Sequence, residues 1–205
     1  MKQSKKRIAI SQRYDKVPGR DEFRDALDVE WGNLFEQLGA LPIVLPSGLG
    51  DVAEYLNDLQ VDGLLLSGGN DIGSAPLRDS LEHKALNYAM TFELPVLGVC
   101  RGMQFLNHVE GGQLKIVEGH VATRHRLEGE WARKHALSDV NSYHNQAITK
   151  ETLATNFIAL ACSEDAVIEA IQHTKKPWMG IMWHPERETP FASHDLELIK
   201  KHFGL

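Results

Sequence analysis

Cys100 is the side chain best placed to do chemistry. It sits in Gly98-Val99-Cys100-Arg101-Gly102, between a short apolar run and a helix-patterned segment. This is the thiol form of a strand-to-helix elbow, which projects its central residue. Small residues on both sides let the backbone fold sharply. The thiol also stands at a helix N-terminus, whose partial positive charge favours thiolate. That chemistry is nucleophilic catalysis by sulfur. The second cysteine, Cys162, lies inside an apolar run before a turn and reads as packing.

A thiol nucleophile needs a base, and ten histidines compete for the role. His184 stands out because it closes an apolar run and opens His184-Pro185-Glu186. The residue before a proline is biased to extended geometry. In an extended chain residues i and i+2 face one side. Glu186 can then hold the imidazole of His184 in one tautomer, the nucleophile–base–orienter arrangement. The bland alternatives are a core cysteine and a satisfied structural histidine. The joint occurrence of elbow, histidine and carboxylate argues against both.

These residues need a scaffold, and the sequence supplies one. Ile8-Ala9-Ile10, Ile43-Val44-Leu45, Gly63-Leu64-Leu65-Leu66 and Pro95-Val96-Leu97-Gly98-Val99 read as strands. Apolar positions Leu27, Trp31, Leu34, Phe35 and Leu38 form a helical stripe that Gly39 stops. Helices also fit Val52 to Leu59, Leu81 to Ala89, and the segment carrying Met103, Phe105 and Leu106. Such alternation predicts an α/β fold, with a mostly parallel central sheet and helices on both faces. The C-terminal half reads differently. Phe157 to Leu160 and Val167 to Ile171 flank a Ser163-Glu164-Asp165 turn, which predicts a small antiparallel part. Met179 to Trp183 is a further strand, and Leu196 to Phe203 a closing helix.

Composition bounds the rest. At 205 residues and 42% hydrophobic, residues 1–205 are expected to form one domain with a real core. Twenty-two basic against 28 acidic residues give −6, so neither nucleic acid nor a membrane surface is the expected partner. Two cysteines make no disulfide framework. The charged start Met1-Lys2-Gln3-Ser4-Lys5-Lys6-Arg7 precedes too short an apolar run for a signal peptide. A soluble cytoplasmic domain is the expectation, with homo-oligomers left open.

Gly98 to Gln104, Ser67-Gly68-Gly69-Asn70-Asp71 and Trp183-His184-Pro185-Glu186-Arg187 together resemble the class I glutamine amidotransferases. The closer resemblance is to their free-standing hydrolase branch, the γ-glutamyl-hydrolase-like C26 peptidases. Leu106-Asn107 with Gly111-Gly112, and Val140 to Gln146, point the same way, and the match runs from about Ile8 to Arg187. The resemblance implies a Cys100–His184–Glu186 triad acting on a γ-glutamyl amide of a small molecule through a thioester, with no cofactor. It implies an oxyanion hole from backbone N–H groups near Gly69 and of Arg101. It also implies that Gln104, Ser142 and Tyr143 receive the glutamyl head. On spacing alone these could be a tight turn, a helix glutamine and a strand-to-loop connection.

Members of this branch act on γ-glutamyl-γ-aminobutyrate and, in capsule biosynthesis, on γ-glutamyl-CDP-amidate. Here the segment Asn70 to Asp79 is short, and Asn145 stands where the branch often has a second histidine. Both departures lie on the leaving-group side, where a trimmed wall admits a larger group. Arg13, Lys16, Arg20 and Arg24 crowd the loop after the first strand, at the sheet edge where open α/β folds bind ligands. A second cluster comprises Arg124, His125, Arg126, Arg133, Lys134 and His135. These suggest an anionic leaving group held by Arg13, Arg20 and Arg24; solvated loop charge is the alternative. The spacing of His120, His125 and His135 fits no zinc pattern, so no metal is expected. Two competing functions remain in view: a glutaminase subunit passing ammonia to a separate synthase, and an inactive binding module on the same fold.

Cys100→Ala and Cys100→Ser are expected to abolish turnover by many orders of magnitude with the fold intact. Cys162→Ala should leave activity nearly untouched. Glutamate release from a γ-glutamyl amide, with circular dichroism as the folding control, measures both. Substantial release by Cys100→Ala would remove the mechanism.

Overall fold

The apolar runs become neighbouring strands of one sheet in a computed structural model that describes residues 4–205. The charged start at Met1-Lys2-Gln3 lies outside the described residues. The first half runs β1 (Arg7–Ser11), β2 (Arg13–Lys16), β3 (Phe23–Ala26), α1 (Glu30–Leu38), β4 (Leu41–Leu45), α2 (Val52–Asp58) and β5 (Gly63–Leu66). Next come α3 (Pro76–Thr91), β6 (Val96–Val99), α4 (Arg101–Val109), β7 (Lys115–Ile116) and β8 (Val121–Arg126). The chain continues through α5 (Glu130–Lys134), β9 (Asp139–Tyr143), β10 (Gln146–Ala147) and β11 (Phe157–Cys162). It finishes with β12 (Ile168–His173), β13 (Trp178–Ile181), a short 3-10 turn Pro185–Arg187, and α6 (Ser193–Phe203).

Seven strands form the central sheet in the order β11-β12-β13-β6-β5-β1-β4. The run from β13 to β4 is parallel, while β11, β12 and β13 pair antiparallel. This is the expected α/β class with its antiparallel C-terminal part. Strands β5 and β6 are buried along their whole length, as suits strands covered on both faces. Among the described residues no helix is long and apolar enough to cross a membrane.

Two local expectations are corrected. The stripe from Leu27 is real, but α1 starts only at Glu30, because the Asp28 carboxylate accepts the Glu30 N–H and turns the chain first. The segment after β1 is not an open loop. It is an antiparallel β2–β3 hairpin with Tyr14 stacked on Phe23 at 4.9 Å.

The glycines of the elbow serve close approach. A Cβ on Gly102 would lie 2.1 Å from the Leu66 carbonyl oxygen, and one on Gly98 would lie 2.5 Å from the Gly102 carbonyl carbon. The start of α4 therefore rests directly on the backbones of β5 and β6. Since the clashing atoms are main chain, nothing can swing aside. Gly102→Ala is expected to lower stability by about 1–3 kcal/mol or more in urea unfolding. The exposed helical Gly32 meets nothing within 4 Å, so Gly32→Ala should raise stability by about 0.5–1 kcal/mol. Equal effects at the two sites would contradict this packing.

Candidate active site

Three adjacent parallel strands end at one edge of the sheet, and each end carries a residue singled out above. Strand β5 leads into Ser67-Gly68-Gly69, β6 into Cys100, and β13 towards His184. Cys100 takes φ 52° and ψ −105°. The positive φ is unusual for a residue with a Cβ and costs roughly 1–3 kcal/mol. It is held by neighbours: the Cys100 N–H donates to the Ile181 carbonyl at 2.8 Å, and its own carbonyl accepts from the Gln104 N–H at 3.1 Å. The cysteine is 7% exposed and opens α4.

His184 Nδ1 lies 2.6 Å from Glu186 Oε1, both groups being buried. His184 itself is extended, as a residue before proline should be, but Pro185–Arg187 is a 3-10 turn. Glu186 thus reaches the ring by a tight turn, not along an extended chain. The His184 ring and the Cys100 side chain flank the same point beside Gly68. Burial works against a charged ring, but hydrogen bonding to Cys100 and Glu186 outweighs it and raises His184 to about 9. Only glycine fits opposite. A Cβ on Gly68 would lie 2.7 Å from His184 Cε1 and 3.7 Å from Cys100 Cβ.

The Gly68-Gly69 turn is gripped from behind by Arg78. Its guanidinium donates to the carbonyls of Ser67 at 2.7 Å, Gly68 at 3.0 Å and Gly69 at 2.8 Å. Glu82 accepts from Arg78 Nε at 3.0 Å and also pairs with Arg101, which reaches Asp79 as well. The Arg101 side chain is therefore tied into the protein. Its N–H belongs to the first turn of α4, whose donors have no partner four residues back.

The remaining expected residues divide. Gly69 (φ +84°) faces the site with the Arg13 stem packed against it. Tyr143 meets the His184 ring edge-on at 5.8 Å, and the Arg187 guanidinium lies 4.4 Å over Tyr143. Ser142 is buried and donates to the His120 carbonyl at 2.7 Å. Gln104 is buried and donates to the Gln146 carbonyl at 2.8 Å. A cavity of about 270 Å³ is lined by Arg13, Asp15, Asp28, Trp31, His184 and Arg187, together with Gly68, Gly69 and Glu186. Cys100, Gln104, Ser142 and Tyr143 are not in that lining. Nor are Arg20 and Arg24, which the hairpin carries outward to pair with Glu22 at 3.7 and 2.7 Å. Arg124 of the second basic cluster is taken by Asp139 and Glu188.

Sequence reasoning missed two positioning residues. One is Arg78. The other is Asn141, whose side chain accepts the His184 N–H at 2.9 Å and donates to the His184 carbonyl at 2.8 Å. Arg78 sits among other polar residues of α3 and Asn141 among those of β9, so neither stood out from its neighbours.

Comparison with known proteins shows the family and the fold. The family model described as Peptidase C26 matches residues 8–186. The γ-glutamyl-CDP-amidate hydrolase of Campylobacter jejuni is 31% identical over 97% of this chain and 98% of its own. The γ-glutamyl-γ-aminobutyrate hydrolase PuuD of Escherichia coli K12 is 27% identical over 78% of each chain. A glutamine amidotransferase structure from Thermotoga maritima superposes with a TM-score of 0.67 at 15% identity, covering 98% of this chain and 85% of that one.

The His184 proton should be observable directly. An imidazolium favoured in the folded state stabilises the fold below the ordinary pKa near 6.5, and that contribution is lost as pH rises through about 9. The ring resonance missing from His184→Asn is expected to titrate near 9 by NMR. It should move down by a unit or more in Glu186→Gln and in Cys100→Ala. A resonance that titrates near 6.5 in all three proteins would break the proposed contacts.

Proposed function

The chain belongs to the peptidase C26 family, and we propose that it hydrolyses the γ-glutamyl amide of a small molecule through a thioester on Cys100. Hydrolase-named relatives support cleavage of a C–N bond. The observation that carries the mechanism is the convergence of Cys100, His184 and Glu186 with the Gly68-Gly69 turn at one sheet edge.

In this reading the Cys100 sulfur attacks the γ-carbonyl carbon. The carbonyl oxygen gains charge and is received by N–H groups near Gly69 and of Arg101, fixed donors that need no reorganisation. His184 gives its proton to the departing nitrogen, and the amine leaves. Water then attacks the thioester as His184 takes a proton back, and glutamate is released. Glu186 fixes the ring and stabilises its charged form. Gln104 and Ser142 act from below, by setting the Gln146 and His120 backbone, while Tyr143 presents the segment that meets the glutamyl head.

For the leaving group, a phosphate-bearing amidate is favoured over γ-aminobutyrate. The C. jejuni relative matches this chain almost end to end, whereas PuuD extends beyond the matched part. Arg13 and Arg187 line the cavity beside the proposed oxyanion turn. Arg13 is paired with Asp15 at 3.3 Å, but both side chains are about half exposed. Such a pair is worth about 0–1 kcal/mol, so a phosphate worth about 1.5–3 kcal/mol can displace the carboxylate.

A panel of glutamine, γ-glutamyl-γ-aminobutyrate and γ-glutamyl-CDP-amidate tests the assignment, with glutamine reporting glutaminase behaviour. Arg13→Ala should raise KM for the amidate roughly tenfold or more and hardly affect glutamine. Arg20→Ala and Arg24→Ala should change neither. Similar kcat/KM for the neutral and anionic conjugates would reject the anionic leaving group.

A further inference from the structure

Away from Cys100 the fold gathers three histidines and a glutamate. His120 precedes β8, His125 lies within it, His144 follows β9, and Glu169 stands on β12. One ligand atom from each lies within 4.8 Å of all the others. His135, grouped with His120 and His125 on sequence, is elsewhere: its Nδ1 meets the Trp131 carbonyl at 2.9 Å.

The unused atoms face one another. His120 Nδ1, His125 Nε2, His144 Nε2 and both Glu169 oxygens are buried with no hydrogen-bond partner among the described residues. Glu169 is 0% exposed, His120 2% and His144 4%. The outer nitrogens decide what the inner ones carry. His144 Nδ1 lies 3.0 Å from the Gln146 carbonyl, which only accepts, so that nitrogen holds a hydrogen, and in the neutral ring Nε2 turns a lone pair inward, 3.5 Å from Glu169 Oε1. His120 Nε2 lies 2.7 Å from Asp165 Oδ2, and in the neutral ring with its hydrogen there Nδ1 is the inward lone pair, 4.0 Å from Glu169 Oε1. A backbone carbonyl and a carboxylate behind two imidazoles are the usual supports of metal-binding histidines. Lone pairs and a buried carboxylate facing each other are costly unless a cation sits among them.

We propose that His120, His125, His144 and Glu169 bind one divalent zinc-type cation that fastens the β8–β9 hairpin to the central sheet. Three imidazoles and one carboxylate suit zinc and its transition-metal neighbours, not magnesium or calcium. Metal–ligand bonds near 2.0–2.1 Å imply tetrahedron edges of about 3.3 Å, so the cluster contracts on loading. The half-buried His125 on β8 is the most accessible ligand. Four protein ligands close the coordination sphere, which makes the ion structural. The absence of zinc spacing in the sequence is no obstacle, because the ligands come from a hairpin and a distant strand. The site stands independently of the hydrolase reading. Its consequence reaches that site all the same, since β9 carries Asn141, Ser142 and Tyr143.

Untagged full-length protein, purified without chelator, tests this by elemental analysis. About one equivalent of zinc is expected. After chelation, adding Zn²⁺ should raise Tm by several degrees, and adding Co²⁺ should give the intense visible absorption of a tetrahedral site. His125→Ala and Glu169→Gln should lose the equivalent and the Tm response, while His135→Ala should keep both. Less than about 0.1 equivalent in the wild type, with no tetrahedral cobalt spectrum at saturating Co²⁺, would overturn the proposal. The wild-type cobalt spectrum decides even where Glu169→Gln fails to fold. Retention of the full equivalent by both ligand variants would equally move the metal elsewhere.

Discussion

The site geometry hangs on a buried lattice of two arginines and two carboxylates under the Gly68-Gly69 turn. Arg78 and Glu82 are wholly buried, Arg101 nearly so, and Asp79 closes the group. Each ion taken from water alone costs several kcal/mol, so no single pair here is stabilising by itself. Together the charges balance, and most Arg78 donors find an acceptor. Burial still pulls Arg78 below the usual arginine range, while Glu82 stays below the usual carboxylate range because Arg101 and Arg78 outweigh its burial. The lattice therefore buys geometry. It draws three consecutive carbonyls to one side, which leaves the opposite side of the turn free to face Cys100. It also anchors the residue directly after Cys100, so turn and elbow move as one body.

Close contact supplies the second constraint. Gly102 lies against Leu66, and Gly98 against Gly102, with no room for a side chain. That contact puts the start of α4 so near the sheet that the connection from β6 has one residue in which to reverse. Cys100 absorbs the reversal with its positive φ. The strain at the sulfur-bearing residue follows from packing around it, and the Ile181 carbonyl receives its N–H in the resulting position.

What the sequence made legible followed locality. The buried strands, the elbow and the His184-Pro185-Glu186 unit are written in contiguous residues, and β–α alternation implies the mostly parallel sheet, though not the order of its strands. The reasons were less accurate than the positions: Glu186 reaches His184 through a 3-10 turn, and the elbow glycines let α4 lie against β5 and β6. Arg78 was invisible as a site residue because the carbonyls it binds lie 9 to 11 positions back, in the turn after β5, and a lone arginine in a helix pattern reads as surface. The outward turn of Arg20 and Arg24 was hidden for a related reason. A run of charges between two strands carries no period, so Tyr14 stacking on Phe23, which makes the hairpin, had no expression in the pattern.

The division between rigid and replaceable parts follows from these energies. The groups proposed for chemistry lie at the ends of β5, β6 and β13, central strands whose neighbours are main chain and buried charge. A change there disturbs backbone that has nowhere to go. The walls proposed for substrate choice are carried by β2–β3 and β8–β9, hairpins outside the central sheet. Their ion pairs at Arg13, Arg24 and Arg124 are roughly half exposed or more, so each contributes little to folding. Charges on such hairpins can be exchanged at small cost to stability, and Arg13, the one of these that lines the cavity, bears on what it admits. Asn141 is the exception that joins the two parts. It belongs to β9, yet both of its bonds to His184 are buried and well formed. Whatever holds that hairpin against β12 thereby also holds the His184 main chain from which the imidazole projects, which makes the hairpin's seat on the sheet a condition of the chemistry as well as of specificity.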